Sequence, residues 1–207
     1  MLDKSSLTKL IECSKEHNVS FISDEIYHGI EYESKAVSAL EITDHCYVIN
    51  SFSKYFSMTG WRVGWMIVPE DHVRQVEKVS QNLFICPPHA SQITALAALD
   101  AKEELDQNVN VYKKNREILL EELPKAGFTT FSPPDGAFYI YVDISKFSND
   151  SLSFCKKVLD EAGVAITPGL DFDQNRGSNT IRFSYARSTE DIIEGAKRIK
   201  KFMSSYN

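Results

Sequence analysis

The sequence predicts an α/β fold: a mainly parallel sheet flanked by helices, then a smaller α+β unit at the C-terminus. Three observations carry that prediction. Up to Pro69, short apolar runs alternate with a helical pattern and polar loops. From residue 71 to 126 the pattern is almost wholly helical, and beyond Gly127 short strands return with two more helices among them. The expected division is residues 1–100 as part of the larger domain, 101–127 as a long connecting helix and 128–207 as the smaller domain.

Residues 2–17 predict a helix, with Leu7, Leu10 and Ile11 on one face and Asp3 or Ser5 as cap. Residues 19–23 read as a short strand running into Asp24-Glu-Ile-Tyr27. A polar loop and a helical turn at 37–40 lead to a buried strand, Cys46-Tyr-Val-Ile-Asn50. Thr59-Gly60 and Gly64 let the backbone turn into a second apolar segment, Trp65-Met-Ile-Val-Pro69. Helices follow over 71–83, over 89–100 beyond the break at Cys86-Pro-Pro, and over 103–126, which Gly127 ends. Residues 128–131 and 137–142 read as strands around a Pro133-Pro-Asp-Gly136 turn. A helix over 151–162, strands at 164–167 and 180–185, and a last helix over 189–203 complete the chain.

Composition narrows the function. With 43% hydrophobic and 25% charged residues, the 207-residue chain is an ordinary globular one. A formal net charge of −6 and the lack of a basic block argue against a nucleic-acid partner. No apolar run reaches the length of a membrane span, and the first residues lack the layout of a signal peptide. Cys13, Cys46, Cys86 and Cys155 form no Cys-x-x-Cys pair. They predict free, buried thiols in a reducing compartment, hence a cytoplasmic protein. The five histidines fall into no ligand spacing, so no metal is expected.

The chemistry concentrates in Ser51-Phe-Ser-Lys-Tyr-Phe-Ser-Met-Thr-Gly-Trp-Arg-Val-Gly-Trp65. Lys54 follows a strand, at the rim where open α/β sheets place their ligands. Ser51 and Ser53 offer hydroxyls, and Arg62 a guanidinium, to one phosphate. An ordinary lysine amine is neutral in roughly one molecule in a few thousand at pH 7, so it needs burial or nearby positive charge to react. A lysine beside a phosphate grip suggests a covalently held, phosphorylated aldehyde cofactor. Asp24 also ends a strand, and if the two strands are parallel neighbours it shares that rim. A carboxylate there can pair with a protonated ring nitrogen, and Tyr27 can offer its phenol to a ring oxygen.

Each residue alone has a plainer reading. Asp24 caps a turn, Tyr27 packs at the surface, Lys54 is solvated, Arg62 is salt-bridged and Arg182 is a strand arginine facing solvent. The informative feature is the combination: strand, Asp-x-x-Tyr, strand, Ser-x-Ser-Lys, Thr-Gly-Trp-Arg-Val-Gly.

In that combination the chain resembles the class I/II aminotransferases, pyridoxal-phosphate enzymes of the aspartate-aminotransferase fold. The resemblance continues through Pro134-Asp-Gly-Ala-Phe-Tyr139 and Asn179-Thr-Ile-Arg-Phe-Ser-Tyr-Ala186, and so covers essentially the whole chain. It implies that Lys54 holds pyridoxal 5'-phosphate as a Schiff base. Asp24 then meets the pyridine nitrogen and Tyr27 the ring hydroxyl, while Ser51, Ser53 and Arg62 bind the phosphate. Arg182 binds the substrate α-carboxylate.

The implied reaction is transamination between an amino acid and a 2-oxo acid, with Lys54 moving the α-proton, in a homodimer. A carbon–sulfur β-lyase of the same fold uses the same cofactor residues and is the alternative. The family's first half, with a glycine-rich turn, a stacking aromatic ring and an Asn-Pro-x-Gly segment, would precede Met1. The resemblance therefore also implies a truncated chain, inactive alone: a non-catalytic fragment or one half of a split enzyme.

Overall fold

The computed structural model describes residues 1–206, and the chain divides into two compact units, Met1–Val109 and Asn110 onward. In the first unit, α1 (Lys4–Glu16) starts where the Asp3 carboxylate accepts the Ser6 amide at 2.7 Å. That bond satisfies one of the free amides of the first turn. Leu7 and Ile11, four residues apart and so on one face, are the buried residues of the helix. They pack with Ala39, Cys46 and Val48, and with the half-buried Phe21, Val37 and Ile42.

β1 (Ile22–Asp24) pairs with β2 (Tyr47–Ser51) in parallel, with Ile22 opposite Tyr47 and Asp24 opposite Ile49. β3 (Gly64–Ile67) joins the far side of β2 antiparallel, with Ser51 opposite Gly64. The expectation of a mainly parallel sheet thus holds for one of these two ladders and fails for the other. The reason lies in the connection. Residues 52–63 hold only the short 3-10 turn Thr59–Trp61, and a parallel return needs a longer crossover, usually helical. A second cluster, Phe52, Met58 and Ala95 with Phe56, Val63 and Ala98, covers this connection.

Then come α2 (Val73–Leu83), α3 (His89–Ala98) and the long α4 (Lys102–Lys125). α2 has no buried residue. Of the four free thiols, Cys46 and Cys155 are buried as expected, but Cys13 and Cys86 are exposed. Cys13 falls off the Leu7–Ile11 face of α1, and Cys86 lies in the exposed connection between α2 and α3.

In the second unit β4 (Tyr139–Asp143), β6 (Thr180–Ser184) and β5 (Thr167–Pro168) form an antiparallel sheet in the order β4-β6-β5. α5 (Ser151–Ala162) and α6 (Thr189–Ser205) accompany it. The core holds Phe128, Phe154, Val158, Ile181 and Phe183, each contributing roughly 2 kcal/mol relative to exposure. Buried Asn115 on α4 donates to the carbonyls of Tyr185 at 3.0 Å and Arg187 at 2.8 Å, fixing the chain as it leaves β6.

Two expected strands are corrected here. Residues 128–131 make only one bridge, Phe131 to Val142, because Phe128 is drawn into the aromatic core against Phe147, Phe154 and Phe183. The strand expected at 164–167 begins only at Thr167, where pairing with Arg182 starts.

Candidate active site

Parallel pairing of β1 and β2 places Asp24 and Ser51 at the same end of the sheet. Lys54 stands on the turn that follows, its Nζ 5.5 Å from the centre of the Tyr27 ring. The Ser53 amide donates to Ser51 Oγ at 3.0 Å, and that oxygen lies 2.9 Å from Ser53 Oγ and 3.1 Å from the Val63 carbonyl. The Thr59 hydroxyl donates to the Ser53 carbonyl at 2.7 Å, and Arg62 Nη1 donates to the Thr59 carbonyl at 2.8 Å. Ser51, Ser53, Thr59 and Arg62 thus form one continuous hydrogen-bonded rim around the lysine turn. Asp24 is exposed, and its Oδ1 accepts the Ile26 amide at 3.2 Å, which is also the geometry of the plain turn former.

The turn is built differently from expectation. Gly60 has open space about it and no left-handed backbone. The left-handed residues are Ser57 (φ +55°) and Arg62 (φ +57°), a conformation that costs an L-residue about 1 kcal/mol or more. Gly64 is needed for close approach, because a Cβ there would lie 2.8 Å from the Asn50 carbonyl oxygen.

Behind the rim stand two supports with no signal in the sequence. Glu25 is 4% exposed, and its Oε1 accepts Ser23 Oγ at 3.0 Å, Ser38 Oγ at 3.1 Å and the Ala39 amide at 2.8 Å. His28 Nδ1 lies 3.3 Å from the other oxygen. One carboxylate therefore ties the Asp24–Tyr27 turn to the 3-10 turn Ala39–Glu41. Glu25→Ala would orphan those donors and should lower stability by about 2–4 kcal/mol, read as a drop in the urea midpoint. A loss under about 0.5 kcal/mol, the size of an ordinary surface change, would remove this role.

The second support is Tyr55, whose ring lies against Gly29 and whose hydroxyl donates to Asp106 Oδ1 at 2.7 Å. Burial, with the Asp106 carboxylate, pushes its phenol up to about 12, so it stays a donor at neutral pH.

Arg182 lies on β6 in the second unit. Its guanidinium carbon is 4.4 Å from the centre of the Phe172 ring and 5.3 Å from that of Tyr139. Nη2 reaches Thr167 Oγ1 at 3.5 Å, while buried Nε has no hydrogen-bond partner. A separate groove of about 560 Å³, lined by residues such as Phe183, Ile192 and Arg198, contains none of the expected site residues.

The pairing of arginines sorts them. Arg74, Arg176, Arg187 and Arg198 each meet a carboxylate, at Glu77, Asp173, Asp191 and Glu194. Among the described residues Arg62 and Arg182 meet none. Their hydrogen bonds go instead to the Thr59 carbonyl and the Thr167 hydroxyl. A guanidinium with two serine hydroxyls is a donor set suited to phosphate, and a guanidinium with aromatic faces and open N–H edges suits a carboxylate.

The family description "Aminotransferase class I and II" matches residues 1–199. This chain belongs to the class I and II aminotransferases. Among its relatives is a valine–pyruvate aminotransferase of Mycobacterium tuberculosis, 45% identical over 91% of this chain and 50% of that protein. A crystal structure from Silicibacter pomeroyi, 64% identical, superposes with a TM-score of 0.96 over 99% of this chain and 55% of that one. An aminotransferase structure from M. tuberculosis, 42% identical, gives 0.95 over 99% and 54%. The chain therefore spans about half the length of the aminotransferases it matches.

The sequence singles out Lys54, Asp24, Tyr27, Ser51, Ser53, Arg62 and Arg182 as expected site residues. It gives no sign that Thr59, Glu25, Tyr55 and Phe172 contact or support them. Thr59 could have been found from its place between the lysine and Arg62; the others act through contacts far along the chain.

Proposed function

We propose that the protein carrying this chain is a pyridoxal-phosphate-dependent aminotransferase that moves an amino group between an amino acid and a 2-oxo acid. What supports this reading is that Arg62 and Arg182, the two arginines assigned to phosphate and carboxylate, meet no carboxylate among the described residues. Arg62, Ser51 and Ser53 would hold the phosphate, Asp24 the protonated ring nitrogen, Tyr27 the ring hydroxyl and Lys54 the aldehyde carbon. When bound, the cofactor supplies a sink for the electron pair left as the substrate α C–H bond breaks.

Lys54 would hold the cofactor through its amine and, with that amine free, would take the α-proton as general base and return it as general acid. The Asp24 carboxylate keeps a proton on the ring nitrogen, which its rim position at the end of β1 allows. Arg182 receives the α-carboxylate through its in-plane N–H donors and so orients the C–H bond. Valine with pyruvate is the first donor–acceptor pair to assay, given the relative that bears that name. The reading includes a homodimer, as is typical of the family, working in the cytoplasm. Among the described residues no helix is long and apolar enough to cross a membrane.

The deciding experiment is borohydride reduction of the protein with its cofactor, followed by peptide mapping. Pyridoxyl label on Lys54 is expected, and reproducible label on another lysine would overturn the assignment. Keto-acid-dependent turnover is expected in the same protein before reduction, whereas pyruvate release from cystathionine in its place would assign carbon–sulfur lysis.

A further inference from the structure

We infer that Phe172 is a positioning residue for carboxylate binding: it braces the Arg182 guanidinium so that its N–H edge is presented ready-made. The inference rests on the reading of Arg182 as the carboxylate anchor and adds a residue that no motif indicated.

The geometry is specific. Phe172 is the closer of the two rings on Arg182, at 4.4 Å against 5.3 Å for Tyr139. An aromatic ring attracts a guanidinium to its face and leaves the in-plane N–H groups pointing outward. Among the described residues the other contacts of the head are weaker: the Tyr139 ring is farther away, the Thr167 contact is at the limit of hydrogen bonding, and Nε has no hydrogen-bond partner. A free arginine side chain loses about 2 kcal/mol of rotamer entropy when ordered, and a brace removes much of that cost from the binding step.

Phe172 is itself well supported. It follows the 3-10 turn Gly169–Asp171, and its amide donates to the Gly169 carbonyl at 2.9 Å. That turn is packed backbone to backbone against Gly177–Asn179 before β6. A Cβ on Gly177 would lie 2.6 Å from the Gly169 carbonyl carbon, and one on Gly169 would lie 2.6 Å from the Thr180 carbonyl oxygen. Tyr141 meets the Phe172 ring edge-on at 6.4 Å, and its hydroxyl is 2.6 Å from Thr180 Oγ1. Yet Phe172 is 52% exposed. A large aromatic ring left half in water, but held by this much structure, is placed for its contact with Arg182 more than for core packing.

The test uses the 207-residue chain labelled with ¹⁵N, titrated with pyruvate while the Arg182 Nε–Hε resonance is followed. In the wild type that signal should shift and saturate. Phe172→Leu, which keeps apolar bulk but removes the ring, should weaken binding about 3- to 30-fold. Phe172→Tyr should stay within about twofold of wild type. In the enzyme that carries the chain, Phe172→Leu should raise KM for amino acid and oxo acid alike by the same factor, with kcat nearly unchanged. Equal affinity of wild type and Phe172→Leu would overturn the brace while leaving Arg182 as the anchor. No response of Arg182 to pyruvate in the wild type would overturn both.

Discussion

Replacing Lys54 by alanine should lower amino transfer by at least about 10⁴-fold, the upper range for loss of a positioned acid–base group, while the protein stays folded. Lys54 is half-buried on a turn, and the backbone bond that closes it, from the Ser57 amide to the Lys54 carbonyl at 3.0 Å, does not involve the side chain. The Ser51–Ser53–Thr59–Arg62 rim also forms without it, so the grip on phosphate should survive. Lys54→Arg should be as inactive although it keeps the charge, because a guanidinium remains protonated and cannot accept the α-proton. Steady-state rates with valine and pyruvate decide the matter, together with loss of the borohydride-fixed label. Activity within about tenfold of wild type in either variant, a gap of roughly 1.4 kcal/mol, would remove Lys54 from the chemistry.

Asp24→Asn should slow the α-proton step by about three orders of magnitude, roughly 4 kcal/mol of lost transition-state stabilisation. The substitution is nearly isosteric. The amide oxygen can still accept the Ile26 amide that Asp24 Oδ1 accepts at 3.2 Å, so the turn should persist and only the charge is lost. A neutral amide cannot hold a proton on a ring nitrogen, and the sink for the developing charge becomes shallower. The measurement is the single-turnover rate of α-hydrogen loss with the cofactor bound, with the urea midpoint as control. An unchanged rate would show that Asp24 only forms the turn. A lost midpoint with a normal rate would show the same by another route.

Local chemistry made much of this legible in advance. The Leu7–Ile11 spacing, the Cys86-Pro-Pro break and the apolar run before Lys54 each act over a few residues, and the corresponding helices and strand are present. Whether Asp24's strand lies parallel beside that of Ser51 is left as a condition by those patterns, and the structure meets it. Residues 128–131 misled, because a β-rich tetrapeptide also suits an extended segment buried on its aromatic ring, as Phe128 is. Gly60 misled as well, since the left-handed positions fell to Ser57 and Arg62.

By itself, then, the sequence determined the order and type of most elements and the cluster from Ser51 to Trp65, because periodicity, capping and turn chemistry operate between near neighbours. Tertiary structure alone decided the rest. The short connection over 52–63 turned β3 antiparallel. Glu25 found its donors at Ser38 and Ala39, more than ten residues away. Tyr55 found Asp106, 51 residues on, and the Phe172 ring came to rest on Arg182. Which arginines lie beside a carboxylate and which do not depends on where every carboxylate lands once the chain has folded, and near-neighbour patterns carry no information about that.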